Sequence, residues 1–329
     1  MKWNAGRVLE VARGYREACV LAAAADLDLF DALAGSRLSA PGVARRIRAS
    51  TRATEVLLDA LAALGLLGKA GGRYFVPGDV ASALTAGGRD SVLAMCQHQA
   101  NCMRRWAQLA RVVRTGRPAR RVPSVRGRNR DAAAFIGGMH NLNSGLSPVI
   151  VRDIQPLPFR HLLDVGGASG TWTIAFLQAN PLGVATLFDL PEVIPLARRR
   201  LAHTLWEGKV RLVAGDFYRD ELPKGADLAW VSAIVHQNSR PQNRELFRKV
   251  FRALQPGGRI AIRDVVMRES RTRPATGALF AVNMLVSTRG GGTFTLRELR
   301  EDLRAAGFVG ARLARRGEGN ESVVVARRR

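Results

Sequence analysis

Asp164, Asp189, Asp216 and His236 each stand at or just beyond the end of an apolar run, and three glycines, Gly166, Gly167 and Gly170, follow the first of them. In His161-Leu-Leu-Asp-Val-Gly-Gly-Ala-Ser-Gly-Thr-Trp-Thr-Ile174 a strand pattern turns through these glycines straight into a helix pattern. That construction lets backbone N–H groups and a helix dipole meet a small ligand. Asp189 closes the next strand pattern, Ala185-Thr-Leu-Phe-Asp-Leu-Pro191, with Leu190 beside it. A carboxylate roughly 20 residues beyond such a loop accepts both ribose hydroxyls of a nucleotide-like cofactor. In Val210-Arg-Leu-Val-Ala-Gly-Asp-Phe217, Asp216 can take the exocyclic amine of adenine and Phe217 can stack on its ring. A fourth run, Ala226 to His236, brings Ser232 to the same edge and ends on the histidine. Together these residues point to a bound nucleoside cofactor.

The loop spacing is Asp164-x-Gly166-x-Ala168-x-Gly170, closer to the D/E-x-G-x-G-x-G loop of S-adenosylmethionine (SAM) methyltransferases than to a pyrophosphate-binding GxGxxG. SAM carries no phosphate, so close backbone approach matters more than a phosphate cradle. Ala168 stands where a glycine is expected, and its methyl is expected to require a negative φ. Beyond the loop, Arg244 to Leu254 reads as an amphipathic helix stopped by Gln255-Pro-Gly-Gly258, and Arg259-Ile-Ala-Ile-Arg-Asp264 as a strand. Phe294 to Ala306 reads as a helix, and late β-rich runs lie around 311–314 and 322–326. Strands alternating with helices from about His161 onward give an α/β fold, a doubly wound, mostly parallel sheet with ligands at its carboxyl edge.

The chain resembles the small-molecule O-methyltransferases of the plant caffeic-acid and animal acetylserotonin type, common in bacterial natural-product pathways. The resemblance covers nearly the whole length. It rests on Leu163-Asp-Val-Gly-Gly-Ala-Ser-Gly170, Phe188-Asp-Leu-Pro-Glu-Val193, Ala214-Gly-Asp-Phe217, His236, Leu254-Gln-Pro-Gly-Gly258 and Asn283-Met-Leu-Val286. It implies a Rossmann-like methyltransferase domain that binds SAM through Asp164, Gly166, Gly167, Gly170, Asp189, Leu190, Asp216, Phe217 and Ser232. It implies further that Asn283 and Met284 line an acceptor pocket and that His140 lies in a helix covering it. The acceptor is then a small aromatic or polyketide-like molecule bearing a hydroxyl.

The 329 residues, 47% of them hydrophobic, suffice for two domains, and no apolar run approaches the roughly 18 residues needed to span a bilayer. The N-terminal residues carry no secretory pattern, and Cys19, Cys96 and Cys102 show no CxxC spacing. The expectation is a cytoplasmic protein with no disulfide framework, no metal site and no membrane partner. The net charge of +24 is the footprint of a nucleic-acid binder. Against that, the charge is almost all Arg and spread along the chain, with concentrations only at 114–130 and 327–329. A base-holding Asn/Asp-Pro-Pro-Tyr/Phe segment or a Pro-Cys pair is also missing after the fourth strand, so no specific nucleic-acid partner is expected.

The N-terminal third is a separate unit. Ala5 to Leu33 has helical spacing, Leu38 to Ile47 and Thr51 to Leu64 read as two more helices, and Gly65 to Val76 as a hairpin with a Gly-Gly turn. Helix, turn, helix and wing make a winged-helix unit, which the resemblance turns into a homodimerisation domain. Val8, Val11, Tyr15 and Cys19 follow one helix face and are expected against a partner chain. The expected division is 1–90 for this domain, 91–155 for a helical linker contributing to the acceptor pocket, and 156–329 for the SAM domain. In the linker, 91–115 and 131–154 read as helices.

His236 is the candidate general base. A phenol with a pKa of about 10 is a poor nucleophile at neutral pH, and a neutral imidazole can take its proton as the oxygen attacks. In the family the base is usually followed by Asp-Trp, where this chain has Gln237-Asn238. Of the two acids that orient the base in relatives, one matches Asp264 and the other falls near Thr293, which is not an acid. These departures keep open a C-methyltransferase, or a relative that binds SAM without transferring methyl. From another class comes a winged-helix DNA-binding regulator with SAM as effector.

Overall fold

The computed structural model describes residues 2–329. The chain divides into two compact units, one formed by residues up to Ala107 with Arg120–Leu142, the other by Gln108–Ala119 with Asn143–Arg329.

The first unit opens with α1 (Ala5–Arg13), α2 (Tyr15–Asp26) and α3 (Leu29–Leu33). The run expected as a single helix is thus interrupted at Gly14 and again at Leu27-Asp28. There Asp28 takes a left-handed φ of 51°, which ends one helix and re-aims the next. A short strand β1 (Leu38–Ser39) leads into α4 (Ala40–Ile47), where Pro41 occupies the first turn, and Ser50 caps α5 (Thr51–Ala63). The expected hairpin follows as β2 (Gly68–Ala70) and β3 (Arg73–Phe75), with β1 on its outer edge. Its turn residues Gly71 and Gly72 both have positive φ, 55° and 71°, as a two-residue hairpin turn demands. Phe30, Leu33, Leu58, Leu61 and Tyr74 fill the core of this helix-and-wing unit. Beyond it come α6 (Gly78–Leu84), α7 (Leu93–Trp106), α8 (Leu109–Thr115) and α9 (Arg128–Ser144). The helix expected over 91–115 is therefore two, α7 in the first unit and α8 in the second. The one expected over 131–154 is α9 and α10 (Leu146–Asp153), separated at Gly145.

The second unit is a seven-stranded sheet. Its parallel part is β4 (His161–Val165), β5 (Val184–Asp189), β6 (Val210–Ala214), β7 (Ala226–Ser232) and β8 (Leu254–Asp264). Two residues of β9 (Val266–Met267) pair in parallel with β10 (Phe294–Thr295). The hairpin β11 (Phe308–Arg315) and β12 (Ser322–Arg328) adds antiparallel to β8. The order β11-β12-β8-β7-β4-β5-β6 reverses direction between β4 and β7, the switch point at which such sheets leave a crevice. Period-2 alternation divides the strand residues between two faces. Leu163, Val165, Val231 and Ile262 pack on the side of α13 (Arg240–Ala253) and α15 (Leu296–Ala305). Leu162, Trp230 and Ala261 pack on the side of α10 and α11 (Thr171–Ala179). The remaining helices are α12 (Ile194–Leu201) and α14 (Ala275–Ser287). Among the described residues, no helix is long and apolar enough to cross a membrane.

Candidate active site

The glycine loop leaves β4 at the switch point. Gly166 and Gly170 have φ of 68° and 78°, and Gly170 caps α11. A Cβ on Gly166 would come within 2.6 Å of Ile234 Cδ1, and one on Gly167 within 2.6 Å of Leu187 Cγ. Neither position has room for a side chain. Ala168 contradicts the expectation of a negative φ: it lies at 48°. Its N–H donates to Asp189 Oδ2 at 2.7 Å, a charge-assisted bond that holds the residue in the left-handed region.

Asp189 Oδ1 accepts from the Leu190 N–H at 2.7 Å, so one carboxylate oxygen is held by the glycine loop and the other by the residue that follows Asp189. Burial pushes the Asp189 carboxyl upward, opposed by the two N–H groups, and Glu192 adds to the rise. Asp164 is deeply buried beneath the loop. Its Oδ2 accepts from Thr173 Oγ1 at 2.6 Å, and its Oδ1 has no hydrogen-bond partner. Burial raises its pKa to about 7, with the Thr173 hydroxyl opposing and the Asp189 charge assisting.

At the end of β6, Asp216 Oδ1 accepts from the Tyr218 N–H at 2.9 Å, and the rings of Phe217 and Tyr218 lie 4.5 Å apart. Phe217 Cε1 is 4.0 Å from where a Gly166 Cβ would stand, so the end of β6 adjoins the loop.

Beyond β7, a short 3-10 turn, Val235–Gln237, carries His236, which is only 6% exposed. Its Nδ1 lies 2.8 and 3.0 Å from the Asp264 carboxylate oxygens, and its backbone N–H donates to Asp264 Oδ2 at 3.1 Å. A carboxylate only accepts, so Nδ1 bears a proton, and in the neutral ring the lone pair falls to Nε2. Val265 N–H donates to Asp264 Oδ1 at 2.8 Å, and Phe280 of α14 meets the imidazole edge-on at 4.8 Å.

The departures from the family pattern have structural counterparts. Asn238 is fully buried: its Oδ1 accepts from Tyr218 Oη at 2.5 Å and its Nδ2 donates to Asn243 Oδ1 at 3.1 Å. Asn243 in turn donates to the Val235 carbonyl at 3.0 Å, tying the turn to α13. Gln237 reaches back to the Ala233 carbonyl at 3.0 Å. The segment before β10 approaches through backbone, with Gly292 N–H donating to the His236 carbonyl at 2.9 Å. Thr293 is buried there.

Of the acceptor-side candidates, Met284 is buried in α14 and Asn283 half-buried beside it. His140 is half-buried on α9 in the first unit. Ser232 lies at the end of β7, where its Oγ accepts from Arg263 Nε at 3.0 Å. Arg263 was not foreseen, although a charged residue inside Ile-Ala-Ile-Arg-Asp, a buried strand pattern, is the signal that marks it.

A family model described as the O-methyltransferase domain matches residues 106–309, and one described as the O-methyltransferase dimerisation domain matches residues 9–87. The chain belongs to the O-methyltransferase family. It is 31% identical over 322 residues to 3-hydroxy-5-methyl-1-naphthoate 3-O-methyltransferase of Streptomyces sahachiroi, covering 96% of this chain and 93% of that one. Human N-acetylserotonin methyltransferase, solved in complex with SAM, superposes with a TM-score of 0.82 at 27% identity, over 99% and 98% of the two chains. PigF, solved with SAH, gives 0.86 at 26%, over 99% and 100%. This O-methyltransferase is an S-adenosylmethionine-dependent enzyme with the family's mostly parallel sheet and helical N-terminal domain. The loop fits that cofactor: glycines at 166 and 167, where Ile234 and Leu187 leave no room for a side chain, keep it a tight backbone turn, and an acid stands oriented at the end of β5.

Proposed function

We propose that this O-methyltransferase acts on a hydroxyl of a small aromatic or polyketide-like acceptor, with His236 as general base and Asp264 as the residue that positions it. The observation that carries this reading is the His236–Asp264 pair, a nearly buried imidazole whose Nδ1 is committed to a carboxylate at 2.8 Å. Asp189 would hold the ribose hydroxyls, Asp216 and Phe217 the adenine, and Gly166, Gly167, Gly170, Asp164, Leu190 and Ser232 the surroundings of the ribose and amino-acid portion. Bound SAM supplies an electrophilic methyl on a positively charged sulfur. His236 Nε2 takes the acceptor proton as the oxygen attacks, and Asp264 stabilises the imidazolium that results. Phe280 confines the ring to one orientation, and holding the reacting atoms in line supplies the rest of the acceleration. Asn283 and Met284 are assigned to the acceptor, Met284 as an adaptable surface for a flat ring.

The acceptor class is supported by the relative named as a 3-hydroxy-5-methyl-1-naphthoate 3-O-methyltransferase, so hydroxynaphthoates, that compound among them, are the first to assay. We further assign the N-terminal domain to a homodimer. It matches the dimerisation model, and Val8, Val11 and Tyr15 of α1 and α2 are each more than half exposed. With an active acceptor in hand, His236→Ala should cut turnover about 100-fold or more, leave SAM affinity unchanged and recover in part at high pH. Asp264→Asn should lose less in the same direction. Near-normal turnover in His236→Ala, with only the acceptor KM raised, would make His236 a binding residue.

A further inference from the structure

Arg263 is a buried cation for which the mechanism above has no use. It is 3% exposed and occupies the carboxyl end of β8, directly opposite Ser232 of β7 in the sheet register. It shares its face with Ala261, the side toward α11, whereas Asp264 faces away toward His236. Its guanidinium stacks on Trp172, two residues past the last loop glycine, with Cζ 4.5 Å from the ring centroid. Nε donates to Ser232 Oγ at 3.0 Å and Nη1 to Asn143 Oδ1 at 2.9 Å, both neutral acceptors, while Nη2 has no hydrogen-bond partner among the described residues. Among the described residues, no carboxylate comes within ion-pair distance of it. Asp264 and Glu321 act on it only through space, and burial lowers its pKa to about 10. A guanidinium taken out of water without an anion is costly, and a ligand carboxylate at the open nitrogen offsets that cost with a charge-assisted bond.

We propose that Arg263 receives the α-carboxylate of the cofactor's amino-acid portion. Three observations place it for this. It borders Ser232 at the switch point, it stacks on the first turn of the helix that leaves the glycine loop, and it points away from the face that carries His236 and Asp264. The assignment rests on the SAM reading of the cradle. It makes the methionine end of the ligand the part anchored by side-chain charge on β8, complementing Asp189 at the ribose end.

Calorimetry on the full chain separates the two ends. S-adenosylhomocysteine carries the carboxylate; 5′-methylthioadenosine shares the nucleoside and lacks the amino acid. Arg263→Met, of similar length and uncharged, should weaken S-adenosylhomocysteine about 10- to 100-fold and leave methylthioadenosine within about twofold, which also shows that the variant is folded. Arg263→Lys, keeping charge without the fork, should fall between. Equal losses for both ligands, or none for either, overturn the proposal. Should Arg263→Met not fold, the wild-type chain still decides. Decarboxylated S-adenosylhomocysteine should bind at least tenfold more weakly than the parent, and equal affinity rules the carboxylate contact out. Failure of the SAM reading itself looks different, since wild type would then bind neither nucleoside.

Discussion

Asp164→Asn tests whether the acid beneath the glycine loop is held close to neutral. In the folded chain its pKa is raised from 3.8 to about 7, because burial outweighs the hydrogen bonding from Thr173. In the unfolded chain it returns to its ordinary value. Between about pH 4 and pH 7 the folded state therefore holds a proton that the unfolded state has released. The stability this contributes is present in full below pH 4 and is lost as pH rises through about 7. A shift of about three units corresponds to about 4 kcal/mol over the whole window, and to about 2–3 kcal/mol of it between pH 5 and pH 8. The asparagine cannot titrate, so the stability of wild type minus that of Asp164→Asn reports this group together with its coupling to Asp189 and cancels the ionisations that do not touch it. Urea unfolding of the ligand-free proteins, followed by the fluorescence of Trp172 and Trp230 in the same unit, gives that difference at each pH. Wild type should lose about 2–3 kcal/mol relative to the variant between pH 5 and pH 8. Parallel profiles within about 0.5 kcal/mol would mean that the carboxyl titrates near its ordinary value and that the burial argument fails.

Asp189→Ala removes the proposed ribose ligand and should weaken SAM binding at least tenfold by calorimetry, through loss of charge-assisted hydrogen bonds; unchanged affinity would take Asp189 out of the site. Ala168→Gly relieves a methyl group at φ 48° and should raise the unfolding free energy in urea by no more than about 1 kcal/mol, whereas Ala168→Val should lower it. Removing residues 1–33 deletes the exposed Val8, Val11 and Tyr15 and should give an inactive monomer or aggregate by size exclusion and light scattering, and a soluble active monomer would refute the dimer assignment.

What could be read from the sequence was local. The strand–glycine–helix pattern of 161–174, the acids at 189 and 216, and the Gly-Gly hairpin at 71–72 each depend on neighbours a few residues away, and the sheet follows from their alternation. Helix breaks were harder to see. Asp28 interrupts an Ala- and Leu-rich run with a left-handed φ, and ion pairs from Arg126 and Arg130, roughly a hundred positions later in the chain, meet its carboxylate. Ala168 defied its expected φ for the same kind of reason, because the bond that holds it comes from Asp189 on another strand. Arg263 was visible as a charge in a buried strand, but its meaning required knowing that Ser232, Asn143 and Trp172 converge on it.

The positions around His236 where relatives carry acids are filled here by contacts that only the fold reveals. Gln237 and Thr293 remove carboxylate positions, and Asn238 replaces the aromatic of the family's Asp-Trp pair, which in the sequence looks like a weakened base. In the fold the backbone takes up the positioning: the His236 carbonyl accepts from Gly292 N–H, and a Cβ on Gly291 would stand 2.5 Å from that same oxygen, so only glycine allows the approach. Asn238 meanwhile links Tyr218, behind the Asp216-Phe217 segment, to Asn243, which holds the Val235 carbonyl. These contacts fix where the turn sits but contribute no negative charge. Under the proposed base role, stabilising the imidazolium would fall to Asp264 alone, whose Oδ1 and Oδ2 are both engaged by the His236 ring and by backbone N–H groups. Loss of that one carboxylate should therefore alter the pH dependence of turnover as well as its rate, whereas loss of Asn238 should disturb only the placement of the turn.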